Sequence, residues 1–399
     1  MENRSALEKR IRRHVTGRTH PFFIAVPPGL EALCLEELKD LPLSTNAFNM
    51  VNGGIEFEAR LHDCYIANLH LRIANRVLMR IACFKASNFN QLEKKLSSVP
   101  WEQYLSQGIV PEIKSSTRHS RLYHKDAIDE RIRKSIIERQ GLVQFHTADR
   151  PVPSIQQQAF IRVVDDELTL SLDSSGELLY IRGLKEHHTL APIRETIAAA
   201  ALRMASYDGS EPLLDPMSGS GTFSIEAAMM ATNTPPGFFR NFAFMDWPSF
   251  RPERWHYIKK ESEKEISKHG RYSIIASEKD PKSYIALKER MKRFDLARDI
   301  TVINMDFFDM KRKDIMVMFN SDRPGLVIIN PPYGVRLGTR QRSRALFRDI
   351  IKKMADDLKG WRYALFIHDQ DLIREIPFKK TSILLDHGGL KLLLVTGRI

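Results

Sequence analysis

At 399 residues the chain is long for one hydrophobic core, and with 43% hydrophobic and 28% charged residues it has the make-up of a folded globular protein. No apolar run approaches the roughly 18 to 20 residues that cross a bilayer, and the polar, basic start lacks a signal peptide's apolar segment, so a cytoplasmic protein is expected. The formal net charge of +12 suits a polyanionic partner, because neutralised phosphates release counterions and supply affinity.

In chain order, residues 1–20 read as a basic arm without fixed structure. A strand at 22–26 ends in Pro27-Pro28-Gly29, and the helix after it puts Leu30, Leu33, Cys34 and Leu38 on one face. Gly53-Gly54 opens a short strand at 55–58. An amphipathic helix from Leu61, a strand at 77–84, a helix at 90–99 and a strand near 109–115 follow. Residues 126–140 fit a helix with Ile128, Ile132 and Ile136 on one face, and strands around 160–172 and 178–182 close an α+β half. The rhythm then changes. From Ala191 helices alternate with apolar strands at 213–214, 273–276, 300–303, 326–329 and 363–367, the pattern of a parallel doubly wound sheet. Strands at 382–385 and 390–395 around Asp386-His387-Gly388-Gly389 predict an antiparallel hairpin. Residues 182–192 read as the boundary between the halves. Residues 233–265, rich in Phe, Trp, Arg and Lys, read as an insertion after the first helix of the sheet domain. Cys34, Cys64 and Cys83 form no CxxC pair and the 13 histidines show no ligand spacing, so neither a disulfide framework nor a metal is expected.

Asp215-Pro216-Met217-Ser218-Gly219-Ser220-Gly221-Thr222 follows one apolar strand and precedes a helix, where open α/β sheets bind their ligands. Glycines let the backbone approach a ligand closely. An acidic residue just before them can accept hydrogen bonds from the cationic amino group of a methionine moiety. A nicotinamide dinucleotide would want GxGxxG, yet the third glycine position holds Ser224. Candidate cofactor contacts in this loop are Asp215, Met217, Ser218, Gly219, Gly221 and Thr222. Glu278, beside Lys279 at the end of the next strand, can take two ribose hydroxyls, while Asp280 before Pro281 reads as a helix cap. At the third strand end, Asp306 can accept from an adenine amine, with Phe307 against the ring.

Asn330-Pro331-Pro332-Tyr333-Gly334 ends the strand at 326–329. An exocyclic base amine is a poor nucleophile because its lone pair is delocalised into the ring. Two acceptors on its hydrogens, the Asn330 side-chain oxygen and the Pro331 carbonyl, can localise that lone pair and aim it. Pro331 and Pro332 stiffen the loop, and Tyr333 can stack on an extruded base. Arg336, Arg340, Arg342 and Arg344 directly after it read as a rim that contacts phosphates, with Arg118, Arg121 and Lys125 as RNA contacts in the first half.

A parallel sheet finished by a hairpin resembles the class I methyltransferase architecture, and the likeness extends along nearly the full chain to THUMP-domain-containing RNA methyltransferases that act on guanine N2 of large-subunit ribosomal RNA. It is carried by Phe22-Phe23-Ile24-Ala25, Pro28-Gly29-Leu30-Glu31, Ser120-Arg121-Leu122-Tyr123-His124, Arg182-Gly183 and Ala191-Pro192-Ile193-Arg194-Glu195-Thr196, and most clearly by the Asp215 and Asn330 loops. The resemblance implies a ferredoxin-like segment at 21–59, a THUMP RNA-binding domain at 60–170, a connecting segment at 171–192 and a Rossmann-like methyltransferase domain at 193–399. It also implies S-adenosylmethionine as cofactor and 23S ribosomal RNA, or another structured RNA, as partner. Ser218 stands where the family often has Cys, Glu278 where Asp is common, and Val335 where Glu is frequent. The loop handles the amine and not the ring, so methylation of adenine N6 or of transfer-RNA guanine N2 is also compatible with it. A non-catalytic RNA-binding assembly factor is the reading from a different class.

Overall fold

The structure is a computed structural model describing residues 4–141, 155–184, 193–267, 273–294, 296, 298–332 and 340–399. It divides into two compact units, one formed by Met1–Val26, Leu35–Ile181 and Gly237–Lys260, the other by Pro27–Cys34, Arg182–Pro236 and Glu261–Ile399.

The first unit is built on a seven-stranded sheet of β1 (Thr19–Ala25), β2 (Phe48–Val51), β3 (Gly54–Arg60), β4 (Arg76–Lys85), β5 (Glu112–Arg118), β6 (Gln158–Val164) and β7 (Glu167–Asp173), in the order β2-β3-β1-β4-β7-β6-β5. Its pairs are antiparallel except β5 with β6. One face is core: Phe22 and Ile24 on β1 and Ala159, Ile161 and Val163 on β6 are buried at alternate positions. The helices of this half are α1 (Arg4–Ile11), α2 (Glu31–Lys39), α3 (Leu61–His70), α4 (Phe89–Leu96) and α5 (Lys125–Gln140). On α5 the expected stripe of Ile128, Ile132 and Ile136 is fully buried, and Gly141 ends the helix in the left-handed region at φ +66°.

Five local expectations for this half need correction. The basic arm is helical from Arg4, because Ile11 and Val15 anchor it by burial. β2 has no counterpart among the expected strands; Asn52-Gly53 turns it back onto β3, with Val51 opposite Gly54. Residues 160–172 are two strands, since Asp165 and Asp166 both take positive φ (51° and 63°) and close a tight turn. Residues 178–182 are not a strand. Finally, residues 237–260 of the expected insertion belong to the first unit, where Phe244 stacks on Tyr65 at 4.3 Å and on Phe242 at 5.3 Å. Phe242, Phe244 and Trp247 in it are core, whereas Phe239 and Tyr257 are exposed.

The second unit holds β8 (Leu213–Asp215), β9 (Ile274–Ser277), β10 (Ile300–Ile303), β11 (Leu326–Ile329), β12 (Arg362–Ile367), β13 (Lys379–His387) and β14 (Leu390–Arg398), ordered β10-β9-β8-β11-β12-β14-β13. β8 to β12 run parallel, β14 returns antiparallel to β12, and β13 pairs with β14 around Gly388-Gly389. α6 (Glu195–Met204), α7 (Thr222–Ala231), α8 (Pro252–Lys264, which begins in the first unit), α9 (Pro281–Arg293), α10 (Arg312–Phe319) and α11 (Arg340–Asp357) complete the elements used below. The strand order reverses between β8 and β11. That switch point places the carboxyl ends of the two strands side by side, where ligands of open α/β sheets bind.

Candidate active site

Asp215, Glu278, Asp306 and Asn330 stand at or just past the carboxyl ends of β8, β9, β10 and β11, so register alone sets them along one edge of the sheet. Asp215 is 1% exposed. Ser224, on the first turn of α7, donates to its Oδ2 at 2.8 Å, whereas its Oδ1 is buried and has no partner among the described residues. Burial pushes this carboxyl up to about 7, against the hydrogen bonds from Ser224 and with help from the charge of Glu278. An uncompensated buried carboxylate oxygen is costly, and it is the kind of group a cationic ligand satisfies.

The loop after Asp215 is held from three sides. The Ser218 backbone N–H and hydroxyl both donate to the Ser277 carbonyl at 3.0 Å, tying the loop to β9. Arg290 of α9 donates to the Ser220 carbonyl at 2.7 Å. Glu278 accepts from the backbone N–H of Gly219 at 3.0 Å and of Asp280 at 2.9 Å. Met217 packs against the core, and Thr222 is buried at the start of α7, its hydroxyl 3.0 Å from that of Ser220. A Cβ on Gly219 would meet nothing within 4 Å, so the loop leaves open space there. Asp280 caps α9 by accepting from Ser283, as its place before Pro281 predicts.

At the third strand end Asp306 accepts from the Phe308 N–H at 3.1 Å and lies 3.4 Å from the exposed Lys279 ammonium. Phe307 corrects its expectation: it is 1% exposed and packs with Leu214, Ile275 and Val327, so its ring has no open face for a ligand. Next to β8, the Asn330 Oδ1 is a second buried acceptor without a partner among the described residues. Pro331 and Pro332 line a cleft of about 660 Å³ that Phe366, His368 and Asp369 line too. Tyr333 and Arg336 lie outside the described residues.

Arg340 and Arg344 are not free cations. Each brings its Nε within hydrogen-bond distance of Asp369 Oδ2, at 3.0 and 2.9 Å, and these contacts hold the Asp369 carboxyl down at about 2. Arg342 is exposed. In the first unit Arg118, Arg121 and Lys125 are all exposed around the β5–α5 connection, where the Arg121 backbone N–H donates to Asp166 at 2.7 Å. Sequence reading passed over Ser224 except as a missing glycine. It also passed over the buried Arg182–Glu226 pair at 2.8 Å under α7, because neither residue shows any periodic signal. Among the described residues no cluster of His, Cys, Asp or Glu has the arrangement of a metal site, and no helix is long and apolar enough to cross a membrane.

A parallel sheet that reverses between β8 and β11, closes with a β13–β14 hairpin and carries acidic residues at successive strand ends defines a class I methyltransferase fold. Residues 182–382 match the model of the RMKL-like methyltransferase domain and residues 21–78 that of the RlmL ferredoxin-like domain; the chain belongs to the RMKL-like methyltransferase-domain family. It is 29% identical over 377 residues to the ribosomal RNA large subunit methyltransferase K/L of Syntrophotalea carbinolica, matching 92% of this chain and 52% of that protein. The chain thus spans about half the length of this K/L relative. Among solved structures, SMU.472 in its complex with SAH superposes with a TM-score of 0.82 at 26% identity, covering 96% of this chain and 98% of that one. A Listeria monocytogenes protein described as a predicted N6-adenine-specific DNA methylase gives 0.80 at 26% identity, covering 99% and 98%.

Proposed function

We propose that the protein transfers a methyl group from S-adenosylmethionine to an exocyclic amine of an RNA base, and that the base is guanine, modified at N2 in 23S ribosomal RNA. The observation that carries this reading is the pair of buried oxygens, Asp215 Oδ1 and Asn330 Oδ1, that have no partner among the described residues and stand at the ends of the two strands flanking the switch point. The residues present fit the cofactor: Asp215 offers an acceptor to its amino group, Gly219 leaves room for close approach, and Glu278 and Asp306 offer carboxylates further along the strand ends. S-adenosylmethionine supplies a methyl group activated by a sulfonium.

The chain's own task is to make a weak nucleophile attack. The Asn330 oxygen and the Pro331 carbonyl take the two amine hydrogens, which draws the nitrogen lone pair out of conjugation and directs it. Because Asn330 is already dehydrated, this acceptor costs no desolvation when the amine arrives. The net charge of +12 and the K/L relative favour ribosomal RNA as the acceptor. Methylation of an adenine N6 is the second reading, favoured by the description of the Listeria neighbour.

The test is methylation of an unmodified 23S transcript with a labelled methyl donor, followed by nucleoside mapping. N2-methylguanosine is the expected product, N6-methyladenosine would transfer the function to the second reading, and no transfer to RNA would overturn both. Asn330→Ala should still bind S-adenosylmethionine but transfer about 100- to 1000-fold more slowly in a single turnover. Full activity in that variant would remove the assigned mechanism.

A further inference from the structure

We propose that Asp369 and Arg344 together read the edge of the acceptor base and make the site select guanine over adenine, a proposal that rests on guanine N2 being the amine held by Asn330. Ile329, the last residue of β11, is in register with Leu365 of β12, and the segments that leave the two strands, Pro331-Pro332 and Phe366 to Asp369, line one cleft. Pro331, Pro332, Asp369 and Arg344 all line this cleft. In the proposed pose a base held by its amine at Asn330, next to Pro331 in the chain, turns the rest of its hydrogen-bonding edge toward Asp369 and Arg344.

The pair has a defined polarity. Arg340 and Arg344 both bind Oδ2 of Asp369, which keeps the carboxylate ionised and hence an acceptor only. Among the described residues its Oδ1 receives one long contact, 3.4 Å from the Asp371 backbone N–H. Arg344, whose side chain is 33% exposed, is a donor only. The cleft thus presents an acceptor beside a donor. Guanine held by N2 displays its N1–H next and its O6 beyond, a donor followed by an acceptor, which matches Asp369 and Arg344 in turn. Adenine held by N6 instead displays the N1 lone pair, which an ionised carboxylate repels, and then only C–H. A site built to bond one pattern rejects the inverted one strongly, because its own polar groups are left unpaired.

The experiment replaces the methylated guanine of a 23S transcript with 2,6-diaminopurine, which keeps the C2 amine but inverts the polarity at N1 and at position 6. The wild type should favour guanine by at least about 100-fold in single-turnover rate. Asp369→Asn, whose amide both donates and accepts, should narrow that ratio to below about 10-fold while S-adenosylmethionine affinity by calorimetry stays unchanged. Arg344→Leu, which removes the O6 donor, should narrow it too and decides the matter if Asp369→Asn fails to bind the cofactor. If these ion pairs merely pinned α11, both substrates would slow in proportion, and an unchanged ratio would overturn the proposal. Equal wild-type rates on the two bases would also overturn it while leaving guanine N2 methylation standing. A mapped product other than N2-methylguanosine would instead strike the underlying reading.

Discussion

The proposed contact between Asp215 and the cofactor makes binding depend on pH through the burial of this carboxyl. A carboxyl raised to about 7 is half protonated at neutral pH, and the protonated form has no charge to offer a cationic amino group. Binding below that value must expel the proton. Affinity for S-adenosylmethionine should therefore be constant above about pH 8 and fall toward tenfold per unit as pH drops below 7. Calorimetry between pH 5.5 and 8.5, in two buffers of different ionisation enthalpy, should show proton release on the acid side. Asp215→Asn should bind more weakly at pH 8 by about 1.5 to 3 kcal/mol and lose the dependence. A pH-independent wild type would remove Asp215 from the cofactor's contacts. Its role as an acidic residue before glycines was legible from residue order. Its orphaned oxygen and the Ser224 bond were not, because they depend on how α7 turns back over the strand.

The glycine loop separates folding from binding at the level of one element. Gly219 and Gly221 both take positive φ, 51° and 74°, so either substitution by alanine strains the backbone by about 1 kcal/mol. They differ in surroundings. A Cβ on Gly219 meets open space, whereas one on Gly221 would sit 2.5 Å from Leu287 Cδ1 of α9. Gly221→Ala should then lose a further 1 to 3 kcal/mol or so from overpacking. Gly219→Ala should stay folded and lose chiefly cofactor affinity. Urea unfolding and calorimetry of the two variants check this, and equal stability losses would refute the distinction. The parallel strands β9 and β11 were readable because both are short, mostly apolar runs buried on both faces. The β2–β3 and β6–β7 hairpins were not, since β2 spans only four residues and Asp165-Asp166 is an uncommon pair in a turn of positive φ.

For the molecule as a whole, the charge of +12 predicts RNA affinity that falls steeply with salt. Arg340 and Arg344 are held by Asp369 at 3.0 and 2.9 Å, so the exposed Arg118, Lys125 and Arg121, whose contact with Asp166 is long at 3.8 Å, are the better candidates for phosphate contacts. Replacing those three by alanine should lower the slope of log affinity against log salt by about two to three units, measured by fluorescence anisotropy with a 23S fragment. An unchanged slope would exclude this corner of the first unit. What could be read without the fold is what depends on neighbours in the chain: the apolar strands, the Ile128-Ile132-Ile136 stripe, the cap at Asp280, and the placing of the Asp215 and Asn330 loops at strand ends. Long-range packing decided the rest. An aromatic-rich stretch at 237–260 satisfies any core that will bury it, and only tertiary contacts with Tyr65 assign it to the first unit. Phe307 turns into the core instead of the cleft because Leu214, Ile275 and Val327 offer it a dry site. Arg340 and Arg344 are engaged by Asp369 and Asp371, 25 to 31 positions away, a distance over which periodicity carries no information but two carboxylates in space settle the electrostatics.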